Sequence, residues 1–214
     1  MHVVDLTHTI APGMPVYPGT QPPTFSCANT WEQDGFHETL ISFYTHTGTH
    51  MDPPAHLFPQ GITLDRLDAS HFVGSALTID CSAVPAGGRI SLAQLAPVRT
   101  LADQAEFILF YTGWDRHWGT SEYFGPYPCI EEGVADYLLS SGKKGMGLDT
   151  ISIDPITSHT LPLHKKVLGD TPFVILENLT NLSSTGTGLF TLCALPLKLH
   201  NGDGAPIRAV ALLP

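Results

Sequence analysis

The chain has 214 residues, of which 43% are hydrophobic, so it can bury a full core and we predict one domain over residues 1–214. Acidic residues outnumber basic residues by 20 to 10, and the few lysines and arginines form no run or stripe. This pattern excludes nucleic acid as the partner, because a nucleic-acid-binding surface needs clustered positive charge.

The first informative segment in chain order is residues 46–56, which reads HTGTHMDPPAH. Its metal-binding side chain types are those of His46, His50, Asp52 and His56. Imidazole nitrogen and carboxylate oxygen suit zinc, manganese or iron(II), and no cysteine joins the cluster to make a closed structural site. Leaving several such groups buried and unpaired would cost about a few kcal/mol each. We therefore predict a hydrolytic metal centre.

Backbone geometry favours an extended strand for this segment. In a helix, His46 and His50 would share a face while Asp52 would lie roughly opposite. In a strand all three side chains point the same way. A straight strand would still hold the first two Cα atoms about 13 Å apart, so we predict a bend near Gly48 and the return of His56 from a turn.

The rest of the chain is predicted to interleave strands and helices. Apolar runs predict buried strands over residues 73–81, 106–112 and 145–149. Ser91 is expected to cap a short helix that ends at Leu95, and Gly142 to end a helix that starts near Glu131. A final hairpin is predicted between an apolar stretch ending at 195–199 and residues 207–213, across a turn at 201–204.

Cysteine spacing and the N-terminal residues bear on the compartment. The four cysteines lie far apart with no C-x-x-C pair, at Cys27, Cys81, Cys129 and Cys193. We predict reduced thiols, because four cysteines in a chain of this length do not resemble a disulfide scaffold. The N-terminus lacks the basic and apolar regions of a signal peptide, and no apolar run approaches membrane-spanning length. We expect a cytoplasmic protein without a membrane partner.

Residues 46–56 resemble the signature H-x-G-T-H-x-D-x-P-x-H of the metal-dependent cyclase-like hydrolase family, which includes bacterial kynurenine formamidases and isatin hydrolases. Other stretches similar to the family lie along the whole chain, at residues 5–8, 15–19, 112–114, 149–155, 176–179 and 203–208. The resemblance implies an α/β fold of the swivelling β/β/α type, with a mixed sheet, flanking helices and the metal site on the sheet. It also implies a homo-oligomer of two or four chains.

The same resemblance implies roles for individual residues. The implied ligands of two divalent cations are His46, His50, Asp52, His164 and Glu177, with zinc the predicted metal and manganese the alternative. His56 is implied to be the catalytic acid/base. The spacing between His164 and Glu177 is one residue longer than the family's, and His159 is the alternative to His164. Glu177 also ends the apolar run 173–176, where a metal would compensate a buried charge.

The implied function is that of a metal-dependent amide hydrolase similar to arylformamidases, in which metal-bound hydroxide converts N-formylkynurenine and water to kynurenine and formate. Tyr17, between prolines in a stretch that resembles the family's substrate-side loop, is the candidate pocket wall, with core packing the alternative. Two further readings stay open: an isatin-, imide- or lactone-type hydrolase or cyclase, and a non-catalytic metal-binding module. His56 favours an enzyme acting on a small molecule, because a binding module needs no proton shuttle.

Overall fold

The computed structural model describes residues 2–169 and 171–214. Its strands are β1 (His2–Asp5), β2 (Thr24–Asn29), β3 (Glu38–Ser42), β4 (His50–Asp52), β5 (Val73–Asp80), β6 (Arg89–Ile90), β7 (Phe107–Tyr111), β8 (Cys129–Ile130), β9 (Gly145–Leu148), β10 (Val174–Glu177), β11 (Phe190–Pro196) and β12 (Ala205–Leu213). Its α-helices are α1 (Trp31–Asp34), α2 (Leu92–Leu95), α3 (Arg99–Gln104), α4 (Glu132–Ser140) and α5 (Pro162–Leu168). The predicted α/β fold class is confirmed.

One mixed sheet organises the molecule, in the order β1-β12-β11-β5-β7-β9-β10-β4. The four central strands β5, β7, β9 and β10 run parallel to one another, whereas all other pairs in the sheet are antiparallel. The short strand β4 pairs with β10 on one side and with the start of β12 on the other. This double pairing closes the sheet into a barrel-like ring. Strand β1 pairs with residues 210–213 at the end of β12, beyond the residues that pair with β4.

Both faces of the sheet are buried, as the apolar runs in the sequence predict. Along β7, Phe107 and Leu109 belong to a cluster inside the ring, whereas Ile108 and Phe110 belong to a second cluster outside it. Helices α4 and α5 cover the outer cluster. The candidate ligand Glu177 lies on this outer face, because it is two residues from Ile175 on β10 and the two side chains share a side.

The predicted strands and the α2 cap are confirmed, with boundaries shifted by one or two residues. Ser91 accepts a hydrogen bond from the backbone of Ala93, and Gln94 reaches back to the Ser91 N–H. Regular strand pairing in the segment 46–56 begins only at His50. The reason is the predicted bend: Gly48 has a φ of 65°, which an extended strand cannot contain.

A separate two-stranded hairpin, β2 with β3, projects from the ring. No pattern in the sequence predicted this arm, which we define as residues 24–44. It exposes large apolar side chains, namely Phe25, Trp31, Phe36, Leu40, Ile41 and Tyr44. Among the helices of the described residues, none has the length and apolar character needed to cross a bilayer.

Candidate metal centre

Strand pairing brings three of the candidate ligands together, namely His50, Asp52 and Glu177. The antiparallel register of β4 and β10 sets His50 directly opposite Glu177, and Asp52 shares the face of His50 two residues along. His50 Nε2 lies 3.3 Å from Asp52 Oδ1 and 3.6 Å from Glu177 Oε2. All three side chains are buried.

His46 reaches the same place from the turn before β4. Its Nδ1 lies 2.6 Å from Asp52 Oδ1, and its Nε2 lies 3.6 Å from Asp203 Oδ2. The backbone of Gly204 packs against the face of the ring, so closely that a Cβ there would stand 2.5 Å from His46 Cε1. His46 is thus held between two carboxylates and a glycine.

His164 joins the group from the opposite side, near the start of α5. Its Nε2 lies 3.1 Å from Glu177 Oε1 and 3.8 Å from Asp52 Oδ2. His159, the alternative in the sequence, is exposed at the edge of the same cavity, whereas His164 is buried against Glu177 and Asp52. The geometry therefore favours His164 over His159 as a candidate ligand.

The two carboxylates divide their oxygens between the rings. Asp52 turns Oδ1 to His46 and His50 and Oδ2 to His164, whereas Glu177 turns Oε2 to His50 and Oε1 to His164. Donor atoms of one tetrahedral ion stand about 3.4 Å apart when each lies about 2.1 Å from it. The four separations that involve His50 and His164, 3.1 to 3.8 Å, lie near that spacing, whereas the 2.6 Å between His46 Nδ1 and Asp52 Oδ1 is a hydrogen-bond distance. Two neighbouring cations would need carboxylate oxygens that face different imidazoles in this way.

Charge also fits a cation at this place. Within residues 2–169 and 171–214, neither Asp52 nor Glu177 forms an ion pair with a lysine or arginine. Burial by itself lowers the pKa of His46, but Asp52 and Asp203 raise it to about 10. For His164, burial is likewise outweighed by Asp154 and Glu177, which raise its pKa to about 10. Carboxylates that draw protons onto buried imidazoles would equally stabilise divalent metal.

His56 differs from the other three imidazoles. It lies in the 3-10 turn Pro54–His56, with its ring centroid 4.1 Å from that of His46. Its ring makes no hydrogen bond to any other described residue, and it faces the cavity. Burial, together with the neighbouring imidazoles, lowers its pKa to about 4 despite the opposing effect of Asp52. His56 is therefore neutral at pH 7 and able to accept a proton.

A cavity of about 400 Å³ opens above these residues. Tyr17, which sequence analysis singled out, lines it together with Val16 and Ile151. Polar side chains at its edge come from Thr20, Ser158 and His159. The cavity can therefore hold a small molecule against the candidate ligands.

The sequence predicted no role for three residues beside the candidate ligands: Asp154 contacts His164, Asn178 contacts Gly48, and Asp203 contacts His46. Each lies in a stretch that resembles the family, at 149–155, 176–179 and 203–208. That resemblance was the available signal. It could not assign roles, because each residue acts on a histidine at least 10 positions away in the chain.

Comparison with known families and proteins gives consistent findings. The Cyclase family profile matches residues 4–155. A protein of Salinibacter ruber named kynurenine formamidase is 33% identical over 216 residues, which cover 98% of this chain and 97% of the relative.

Solved structures of similar fold include two isatin hydrolases. Isatin hydrolase A from Ralstonia solanacearum has a TM-score of 0.86 at 24% identity, covering 100% of this chain and 92% of the other, which shows the shared fold. Isatin hydrolase A from Labrenzia aggregata, bound to benzyl benzoate, has a TM-score of 0.84 at 26% identity, with coverage of 99% and 93%.

Proposed function

The chain belongs to the Cyclase family and is a metal-dependent hydrolase of the arylformamidase kind, and we propose that it converts N-formylkynurenine and water to kynurenine and formate. The bond cleaved is an amide C–N bond outside a peptide. Support for this substrate comes from relatives named kynurenine formamidase, which match this chain over almost its whole length.

The residues that would hold two divalent cations are His46, His50, Asp52, His164 and Glu177, of which Asp52 and Glu177 each direct their two oxygens toward different imidazoles. We propose zinc as the metal, and manganese suits the same donors. When bound, such a cation supplies a nucleophilic water at neutral pH and polarises the substrate carbonyl.

The observation that carries the catalytic proposal is the contrast among the four imidazoles. His46, His50 and His164 each have a ring nitrogen held by a carboxylate or a carbonyl, whereas the His56 ring has no such partner among the described residues and faces the cavity. A ring without a fixed partner can take a proton from the attacking water and deliver it to the departing nitrogen. We therefore assign the acid/base role to His56.

Tyr17 is proposed to contact the aryl ring of the substrate, since aromatic pairs stack or meet edge to face at cavity walls. A second candidate substrate is a neutral cyclic amide such as isatin. Two observations favour it: the likeness to isatin hydrolases, and the absence of lysine and arginine from the side chains that the structure places around the cavity. The carboxylate of a zwitterionic amino-acid substrate would bind more tightly beside a lysine or arginine side chain.

The proposal is tested on protein purified without added metal. Elemental analysis should find two divalent cations per chain, and steady-state kinetics with N-formylkynurenine should give kcat/KM of at least about 10⁴ M⁻¹s⁻¹. A much lower value, beside efficient opening of isatin or a lactone, would replace the substrate and keep the metal centre. Metal-loaded protein without turnover on the whole panel would identify a metal-binding module.

We also propose a homo-oligomer of two or four chains in the cytoplasm. The arm of residues 24–44 supports self-association, because it exposes six large apolar side chains that a second copy could cover. The free thiols of all four cysteines agree with a reducing compartment. Light scattering of the purified chain tests the oligomer, and a monomer at micromolar concentration would contradict it.

A further inference from the structure

We propose that Tyr123 and Asn178 are positioning residues that fix the orientation and protonation of the candidate ligand His50 without ligating metal. The inference rests on the proposed metal centre. The carbonyl oxygen of Gly48 lies 2.8 Å from His50 Nδ1 and 2.8 Å from Asn178 Nδ2. A carbonyl oxygen only accepts hydrogen bonds, so both nitrogens must donate to it.

This contact selects one tautomer of His50. With its proton on Nδ1, the ring turns the lone pair of Nε2 toward Asp52 and Glu177, where a cation would bind. A hydrogen bond of this kind at the remote ring nitrogen commonly orients ligating histidines and increases their basicity. Gly48 is therefore part of what prepares His50 for metal.

The orientation of the Asn178 amide follows from the same carbonyl. Because Nδ2 must face Gly48, Oδ1 faces the Tyr123 hydroxyl at 2.7 Å and accepts its proton. Burial raises the pKa of Tyr123 well above its ordinary value, so this hydroxyl stays protonated. Asn178 also accepts, through its backbone carbonyl, a hydrogen bond of 2.6 Å from Thr49. The amide thus joins the segment before β4 to the end of β10.

Tyr123 is itself fixed in place. Its backbone carbonyl accepts a hydrogen bond from the Trp114 indole at 3.0 Å, and its ring meets that of Trp118 edge to face. It is fully buried and does not line the cavity, so it touches neither substrate nor the site of a cation. Any effect of its hydroxyl on metal binding must pass through Asn178.

Removal of the Tyr123 hydroxyl tests the inference, with the zinc dissociation constant measured by competition against a chelator at pH 8. We expect Tyr123→Phe to bind zinc about 10- to 100-fold more weakly, the range usual for partners of ligating residues. The matched control is Tyr137→Phe on α4, which removes a hydroxyl that donates a hydrogen bond of 2.8 Å to Asp103. The control should change zinc affinity less than about twofold. Tyr123→Phe with native affinity would overturn the inference.

Asn178→Asp provides a second test, in which the direction of the change in zinc affinity decides the outcome. The aspartate tolerates the positive φ of 56° at this position and keeps an acceptor for Tyr123, but it sets an oxygen against the Gly48 carbonyl. Charge alone predicts tighter zinc binding, whereas loss of the positioning contact predicts weaker binding, by about 10-fold. Tighter binding would overturn the inference. Native chain that binds no zinc would instead overturn the metal centre itself, and the inference with it.

Discussion

Asp154 and His164 form one unit at the start of α5. The carboxylate lies 2.7 Å from Nδ1 of the ring, and it also accepts hydrogen bonds from the backbone N–H groups of Leu163 and His164. One side chain therefore both stabilises the first turn of the helix and directs His164 Nε2 toward Glu177. The partner of the candidate ligand is thus also part of the fold.

Asp154→Asn should weaken metal binding about 10- to 100-fold and lower the free energy of unfolding by about 1–3 kcal/mol. The amide nitrogen would face donors that need an acceptor, which leaves one of them unpaired. Chelator competition and urea unfolding measure the two effects. Asp136→Asn, which alters an exposed ion pair with Lys166, is the control and should change neither quantity by much. Native metal affinity in Asp154→Asn would contradict the positioning role.

Glu177→Gln should lose at least one of two cations per chain. The carboxylate has two oxygens that share a negative charge, one near His50 and one near His164, whereas the amide has a single uncharged oxygen to offer a cation. Elemental analysis of native and variant protein gives the two ratios directly. Glu132→Gln, exposed on α4, should keep the native ratio. One metal per chain in both native protein and Glu177→Gln would rule out the binuclear centre.

His56→Asn should keep its metal and lose turnover by roughly 10²- to 10⁴-fold, the range usual for a general acid/base. A ring nitrogen of His56 lies within 4.8 Å of a ring nitrogen of His46 and a carboxylate oxygen of Asp52, so a ligand role is the competing explanation. Metal analysis beside kinetics separates the two roles, since loss of metal would identify a ligand. Near-native turnover in metal-loaded His56→Asn would contradict the acid/base assignment. His200→Asn, at a highly exposed ring, serves as the control.

Gly204→Ala should displace the His46 ring, because the added methyl group would stand 2.5 Å from Cε1. We expect weaker metal binding and a lower thermal midpoint. At Gly133 on α4 the same substitution meets no atom within 4 Å, and it should stabilise the helix by up to about 1 kcal/mol. Metal content and midpoints of both variants test the prediction. Equal metal affinity in the two would show that His46 tolerates the methyl group.

His8 should make stability depend on pH. Burial against Trp118 lowers its pKa to about 4, and the nearby Asp115 only partly opposes this effect. The unfolded ring has a pKa near 6.5, so the unfolded chain takes up the proton first as the pH falls. Stability from the neutral ring is therefore complete above about pH 6.5 and is lost between pH 6.5 and 4.

His8→Phe keeps the ring and removes the titration. Between pH 7 and 5 the native protein should lose about 1 kcal/mol more unfolding free energy than the variant, after allowance for the partly exposed ring. Urea unfolding at both pH values measures the difference. Parallel loss in the two proteins would show that His8 does not titrate in this range.

The sequence alone determined the parts of this protein that are local in the chain. Four of the candidate site residues lie within residues 46–56, and the bend at Gly48 follows from the reach of an extended backbone. The strands over 73–80, 107–111 and 145–148 follow from apolar runs long enough to be buried on both faces. Only resemblance joined the candidate ligands His164 and Glu177 to this segment, because nothing local in the chain connects them to residue 50.

Only the tertiary structure decided which distant residues meet. Pairing of β4 with both β10 and β12 closes the ring, and its register sets Glu177 opposite His50. The same closure brings Asp203 to His46, and it lets Asn178 reach Gly48 across 130 positions of sequence. A strand of three residues carries too little pattern to specify two partners, since register depends on the combined burial and hydrogen bonding of whole strands. The backbone set the spacing of the candidate ligands within one segment, whereas the packing of the barrel set the surroundings of each of them.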